Sequence, residues 1–270
     1  MEAQGRKVLA AALDIAQQTW PDRLVAAYAL GSLAHGGFSA VSDIDVGLVL
    51  RDPLLATDGT HVSNLVDAVK GTRAPFADRL SVFWGSLSSL SGASEGGRFP
   101  PLDRLDLIKF GRLLAGSEVR AGLAVPSQRE LVVVGAEFAL SRLASEDVTQ
   151  KLKDPLALLR SDPKTLTKLI LYPVRFMFTA RTGEVGRNEA AVKDFAAMAD
   201  GPAARVARLA LEWRNTPPTD EATAAQAIKA GVPPLYEEFL LDHERRLKDY
   251  ARQDLAEAFC KWRHRLRAPL

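Results

Sequence analysis

Two aspartates one residue apart, Asp43 and Asp45, stand at the head of an otherwise apolar run that ends at Leu50. Aspartate is depleted in strands and is almost never fully buried without a partner. A carboxylate pair in such a run therefore needs a chemical reason. Strand alternation puts Asp43 and Asp45 on one face, with Ile44 and Val46 on the other. Side chains two strand positions apart are about 7 Å from each other. Two negative charges at that spacing repel unless a cation lies between them, and paired carboxylates suit a hard divalent ion such as Mg²⁺. Upstream, Gly31 and Ser32 close another apolar run and open a loop of small residues, whose backbone N–H groups are suited to a phosphate. The plainer alternative makes Asp43 a turn residue and leaves Asp45 facing water at a sheet edge. Within the same loop His35 is either a phosphate contact or a solvated side chain, and Ser42 either caps a turn or faces phosphate.

The elements that must position these residues are legible in outline. Residues 5–19 carry Val8, Leu9, Leu13 and Ile15 near one helical stripe, and Pro21 ends that pattern. "RLVAAYAL" and "IDVGLVL" read as strands on either side of the small-residue loop. Residues 60–70 read as a helix with Val62, Leu65, Val66 and Val69 on one face, and "RLSVFWG", Arg79 to Gly85, reads as a third strand. The Gly- and Ser-rich tract "GSLSSLSGASEGGRFPP" is expected to be a mobile loop, followed by one helix over "LDRLDLIKFGRLLAG". From Pro126 onward every periodic segment is helical. Pro173 is expected to kink one of these helices, and the long tail from Pro233 is expected to be helical. This gives an α/β unit followed by a helical one.

Composition sets limits. The chain has 270 residues, 47% hydrophobic and 25% charged, with a net charge of +2. That charge is too small to imply nucleic-acid binding by itself. A single cysteine, Cys260, excludes an internal disulfide and a cysteine zinc site. The N-terminal segment, whose apolar residues are interrupted by Asp14, reads as a helix rather than as a secretory leader, and no uncharged apolar run is long enough to span a membrane. The expected location is the cytoplasm, with no membrane partner.

The joint pattern, Leu30-Gly31-Ser32, then Leu33 to Ser42, then Asp43-Ile44-Asp45-Val46 between two expected strands, resembles the signature of the DNA polymerase β-like nucleotidyltransferase superfamily. The stretch "GSLAHGGFSAVSDIDVGLV" is similar to its small bacterial, aminoglycoside-adenylyltransferase-like subgroup. The resemblance implies an α/β nucleotidyltransferase domain over residues 1–125, a mixed sheet with covering helices, and an all-α domain over residues 126–270. It implies Asp43 and Asp45 as ligands of Mg²⁺ on a nucleoside triphosphate, most commonly ATP. It further implies Gly31, Ser32 and Ser42 at the phosphates, and transfer of a nucleoside monophosphate with release of pyrophosphate.

The pattern departs from that family in one place. Relatives carry a third carboxylate on a later strand, where this chain has Ser81. Asp78, just before that strand, is one candidate for the role if a bulge or register shift aims it inward. Glu137, early in the helical half, is the other. Asp103 and Asp106 lie three apart in a helical tract beside Arg104 and read as solvated charge partners. In "RTGEVGRNEAA", which resembles a turn of the helical domain of streptomycin- and spectinomycin-type adenylyltransferases, Arg187 stands near a basic position that would clamp a phosphate. Asn188 alternatively caps the next helix. The mixed-charge tail reads as a solvated helix face, with RNA contact the sharper alternative. Three functions stay open on sequence: transfer to a small-molecule hydroxyl, transfer to an RNA or protein acceptor, and nucleotide binding without catalysis because Ser81 replaces the third acid.

Overall fold

The computed structural model describes residues 1–198 and 200–268. Its contacts divide the chain into two compact units, Met1–Pro126 and Ser127–Leu270. No helix among the described residues is long and apolar enough to cross a membrane.

The first unit contains α1 (Glu2–Thr19), β1 (Leu24–Leu30), α2 (Gly31–His35), β2 (Ile44–Leu50), α3 (Asp58–Gly71), a 3-10 turn (Ala77–Arg79), β3 (Leu80–Ser86), α4 (Leu87–Leu90), α5 (Pro101–Phe110) and β4 (Arg112–Gly116). The strands form one mixed sheet in the order β3-β2-β1-β4. β1 pairs antiparallel with β2 and β4, and β2 pairs parallel with β3. The sheet is covered on both faces, which is why its strands read as near-continuous apolar runs. Ile44, Val46, Leu48 and Leu50 of β2 pack with Val8, Leu9 and Ala12 of α1 and Val62, Leu65 and Val69 of α3. Tyr28, Leu30, Val49 and Phe83 pack on the other face with Leu90 and Leu107.

A buried carboxylate ties the far end of this sheet. Asp58, fully buried, accepts from Trp20 Nε1 at 3.0 Å, Arg23 Nη1 at 2.7 Å and the Leu55 N–H at 2.7 Å. Arg23 in turn donates to the carbonyls of Arg51 and Pro53. Burial pushes the Asp58 carboxyl up, but the hydrogen bonds from Arg23, Leu55 and Trp20 outweigh it and hold the group below the usual aspartate range.

Two sequence expectations about elements need correction. The helix beginning at Pro101 stops at Phe110 instead of running on through "RLLAG". Gly111 turns extended (φ −50°, ψ 130°), and Arg112–Gly116 becomes β4 by pairing with the open edge of β1. Edge pairing satisfies backbone groups that local helical periodicity cannot account for. The Gly- and Ser-rich tract is more ordered than its composition suggests. Its serines serve as caps, with Ser86 and Ser89 forming a capping box at α4. Arg98 also bridges back to Trp84 through backbone hydrogen bonds in both directions.

The expected helical tail belongs to the second unit. That unit comprises α6 (Gln128–Leu143), α7 (Glu146–Lys153), α8 (Pro155–Leu159), α9 (Pro163–Thr182), α10 (Asn188–Met198), α11 (Pro202–Trp213), α12 (Glu221–Asp249) and α13 (Gln253–Arg267). The tail is two helices, and the first starts well before Pro233. Asp220 caps α12 through the N–H groups of Ala222 and Thr223, Pro233 and Pro234 lie inside it, and Ala251 at φ 56° separates it from α13. Pro173 likewise lies buried inside α9, which continues across it. The core of this unit is aromatic: Tyr236, Phe239, Phe259 and Trp262 are fully buried, and the Tyr236 hydroxyl donates to the Leu169 carbonyl at 2.7 Å.

Candidate active site

β1 ends at Leu30 and the chain turns at once into α2, so Gly31 and Ser32 form the first turn of a short helix rather than an open loop. Gly31 has φ +60°, a conformation that favours glycine. A Cβ there would lie 2.5 Å from Asp45 Oδ2. The Asp45 carboxylate thus lies directly against the Gly31 backbone, and only glycine leaves room for it. The register agrees, since Leu30 is the cross-strand partner of Asp45.

Asp43 stands one residue before β2 and is positioned by the loop preceding it. Ser39 and Ser42 close a buried turn: the Ser39 N–H donates to Ser42 Oγ at 3.0 Å, and the Ser42 N–H donates to the Ser39 carbonyl at 3.1 Å. Arg79 donates to the Ala40 carbonyl from the 3-10 turn before β3. Among the interactions described, Ser42 serves the turn that leads into Asp43.

The position where the sequence lacked a third acid is now located. Asp45 pairs with Ser81 across the parallel β2–β3 ladder, and the register runs without a break from Ile44↔Leu80 to Leu50↔Ser86. No bulge shifts β3 to aim Asp78 inward. Asp78 lies exposed in the 3-10 turn. Among the described residues, no three His, Cys, Asp or Glu side chains gather closely enough to hold a metal ion. The available donors are the Asp45 carboxylate against the Gly31 backbone and, two residues earlier in the chain, Asp43. That set fits Mg²⁺ arriving on a triphosphate, because this ion is commonly held by one or two carboxylates plus substrate phosphates and water.

Sequence reasoning missed Asp106. Far from being a solvated charge, it is 8% exposed on α5, and its Oδ2 accepts the Gly31 N–H at 2.6 Å. Its Oδ1 lies 3.9 Å from His35 Nε2 at the end of α2. The i, i+3 spacing of Asp103 and Asp106 pointed to surface pairing. The available signal was the single carboxylate among apolar neighbours in "LDLI".

The remaining candidates belong to the second unit. Glu137 on α6 is half exposed, and its Oε1 accepts from Arg252 Nη1 and Nη2 at 3.1 and 3.2 Å. Arg187 precedes α10, and its carbonyl accepts the first helical N–H, from Ala191, at 2.8 Å. Arg187 therefore takes the cap position, and Asn188 is the first helical residue. Arg175 of α9 holds this turn by donating from Nε to the Gly186 carbonyl at 2.5 Å.

No protein-family model matches the chain, and no curated protein matches its sequence. Among solved structures it is similar to spectinomycin adenyltransferase AAD(9) from Enterococcus faecialis, crystallised with ATP and spectinomycin. The TM-score is 0.57 at 13% identity, over 83% of this chain and 99% of that one. The chain shares the fold of that adenyltransferase. The α/β unit with a mixed sheet and the helical unit that follows it, both expected from the sequence, are what this shared fold contains.

Proposed function

We propose that this protein is a nucleotidyltransferase that moves a nucleoside monophosphate, AMP from ATP, to a hydroxyl of a small-molecule acceptor and releases pyrophosphate. The observation that carries the reading is the contact of the Asp45 carboxylate with the Gly31 backbone at the start of α2. It occurs on a fold shared with an adenyltransferase solved with ATP and spectinomycin.

In this reading Asp43 and Asp45 hold Mg²⁺, which when bound neutralises triphosphate charge and lowers the cost of forming the attacking alkoxide. Ser32 and the α2 backbone receive the outer phosphates, and Gly31 lets Asp45 approach them. The acceptor oxygen forms a bond to the α-phosphorus as the bond from that phosphorus to the bridging oxygen breaks, and pyrophosphate leaves. The hydroxyl proton passes to a carboxylate that β3 does not supply, since Ser81 stands beside Asp45 and Asp78 lies exposed in the turn before the strand; Glu137 is the remaining candidate. Arg187 offers a guanidinium suited to a phosphate clamp. Most of the rate gain in such a site comes from positioning and charge neutralisation.

The test is pyrophosphate release with each of the four nucleoside triphosphates and Mg²⁺ against a panel of hydroxyl-bearing antibiotics. Asp43→Asn and Asp45→Asn are each expected to lower the rate by at least about 10²-fold, the scale on which loss of a charge-stabilising group acts. Full activity in either variant sinks the metal-site assignment. Ser81 beside Asp45 favours a second reading, nucleotide binding without transfer. Calorimetric binding of Mg-ATP with no pyrophosphate release against any acceptor would select it.

A further inference from the structure

Asp106 is a carboxylate held almost out of water by an apolar stretch of α5. Burying such a group is costly unless its hydrogen bonds repay the lost hydration. Here one oxygen takes the N–H of Gly31 at 2.6 Å, the short distance of a charge-assisted bond. Gly31 is the first residue of α2, where an N–H has no partner within the helix, and Leu30 before it supplies no side-chain cap. The other oxygen faces His35 at the opposite end of α2. His35 Nδ1 lies 3.0 Å from the Gly36 carbonyl, and its Nε2 is the atom turned to Asp106. A single side chain, 75 residues along from Gly31, thus meets both ends of α2. The Gly31 backbone it grips is the one that lies against the Asp45 carboxylate.

We infer that Asp106 is a positioning residue for nucleotide binding: by holding the Gly31 N–H it keeps α2 at the height where Asp45 clears the backbone and Ser32 meets phosphate. The inference rests on the nucleotidyl-transfer reading, since it assigns a role within that site. Asp106 acts through Gly31 and is not assigned contact with the nucleotide.

The experiment pairs calorimetry of Mg-ATP binding with amide exchange at Gly31, read by NMR, in wild type, Asp106→Asn and Asp106→Leu. Asparagine keeps an acceptor for the Gly31 N–H; leucine keeps only bulk. Asp106→Leu is expected to weaken Mg-ATP binding about tenfold or more and to speed Gly31 exchange, while Asp106→Asn stays within about threefold of wild type. If the leucine variant does not fold, Asp106→Ser, smaller and too short to reach Gly31, takes its place. Binding in the leucine or serine variant as tight as in wild type, or tighter, overturns the inference, the latter because Asp106 would then compete with phosphate for the same N–H. Unchanged Gly31 exchange overturns it as well. If wild type binds no nucleotide, the transfer reading is what fails. Gly31 exchange then decides alone: protection lost on removing Asp106 upholds its grip on α2, and protection retained refutes it.

Discussion

At Gly31 the requirement for a particular residue is steric and conformational at once. The backbone sits at φ +60°, and any Cβ would meet Asp45 Oδ2 at 2.5 Å. Gly31→Ala must therefore displace the carboxylate or shift α2, and it also pays about 1–2 kcal/mol for the left-handed backbone. The expected outcome is a lower melting midpoint by a few degrees and Mg-ATP binding weakened by more than about tenfold, read by calorimetry. A variant that melts earlier but binds normally would show that Asp45 has room to move.

The pairing of β2 with β3 fixes a prediction at the level of elements. The unbroken parallel register places Ser81 beside Asp45 on the same face of the sheet. Ser81→Asp would put a third carboxylate next to the pair. If the site lacks an acid there, this variant is expected to raise pyrophosphate release or to lower the Mg²⁺ concentration needed for half-maximal rate. No change in either would mean that the acid is supplied from elsewhere, with Glu137→Gln the next variant to assay. The Asp58 clamp sets a second expectation. Asp58→Ala leaves the Arg23 guanidinium and Trp20 N–H without their buried acceptor and is expected to cost about 3–5 kcal/mol in chemical unfolding.

For the molecule as a whole, acid should weaken the two units in different ranges. His243 is fully buried in the second unit, stacked on Phe259 at an interplanar angle of 8° and 3.6 Å from Asp242, with Arg246 also near. Burial pulls its imidazole down to about 4, against a partial upward pull from Asp242. A histidine kept neutral in the fold stabilises fully above its ordinary value of 6.5, and that contribution falls as pH drops from 6.5 toward 4. The loss is on the order of 3 kcal/mol. Asp58 has the opposite chemistry in the first unit. Its lowered carboxyl contributes fully above the ordinary value of 3.8 and is lost only as pH falls below it. Unfolding followed by tryptophan fluorescence and circular dichroism across pH 7 to 3 is expected to show the His243 loss first. His243→Phe should flatten the upper part of that profile, and an unchanged slope would refute the assignment.

The sequence by itself determined what depends on residue type and short spacing. The alternation that puts Ile44 and Val46 into one core and leaves Asp45 on the other face follows from strand geometry alone. The covering helices were visible because their apolar positions recur at helical spacing, and the family resemblance rested on Gly31-Ser32 and Asp43-x-Asp45 taken together. Tertiary structure decided what depends on residues far apart in the chain. "RLLAG" became a strand only because β1 had an open edge to pair with. Ser81 could be placed beside Asp45 only by the register between two strands separated by a helix. Asp106, read locally as one of two solvated helix charges, proved to hold the first N–H of α2, because a partner 75 residues away leaves no mark in local spacing. Periodicity reports which way a side chain points relative to its own element, whereas packing decides what it meets there.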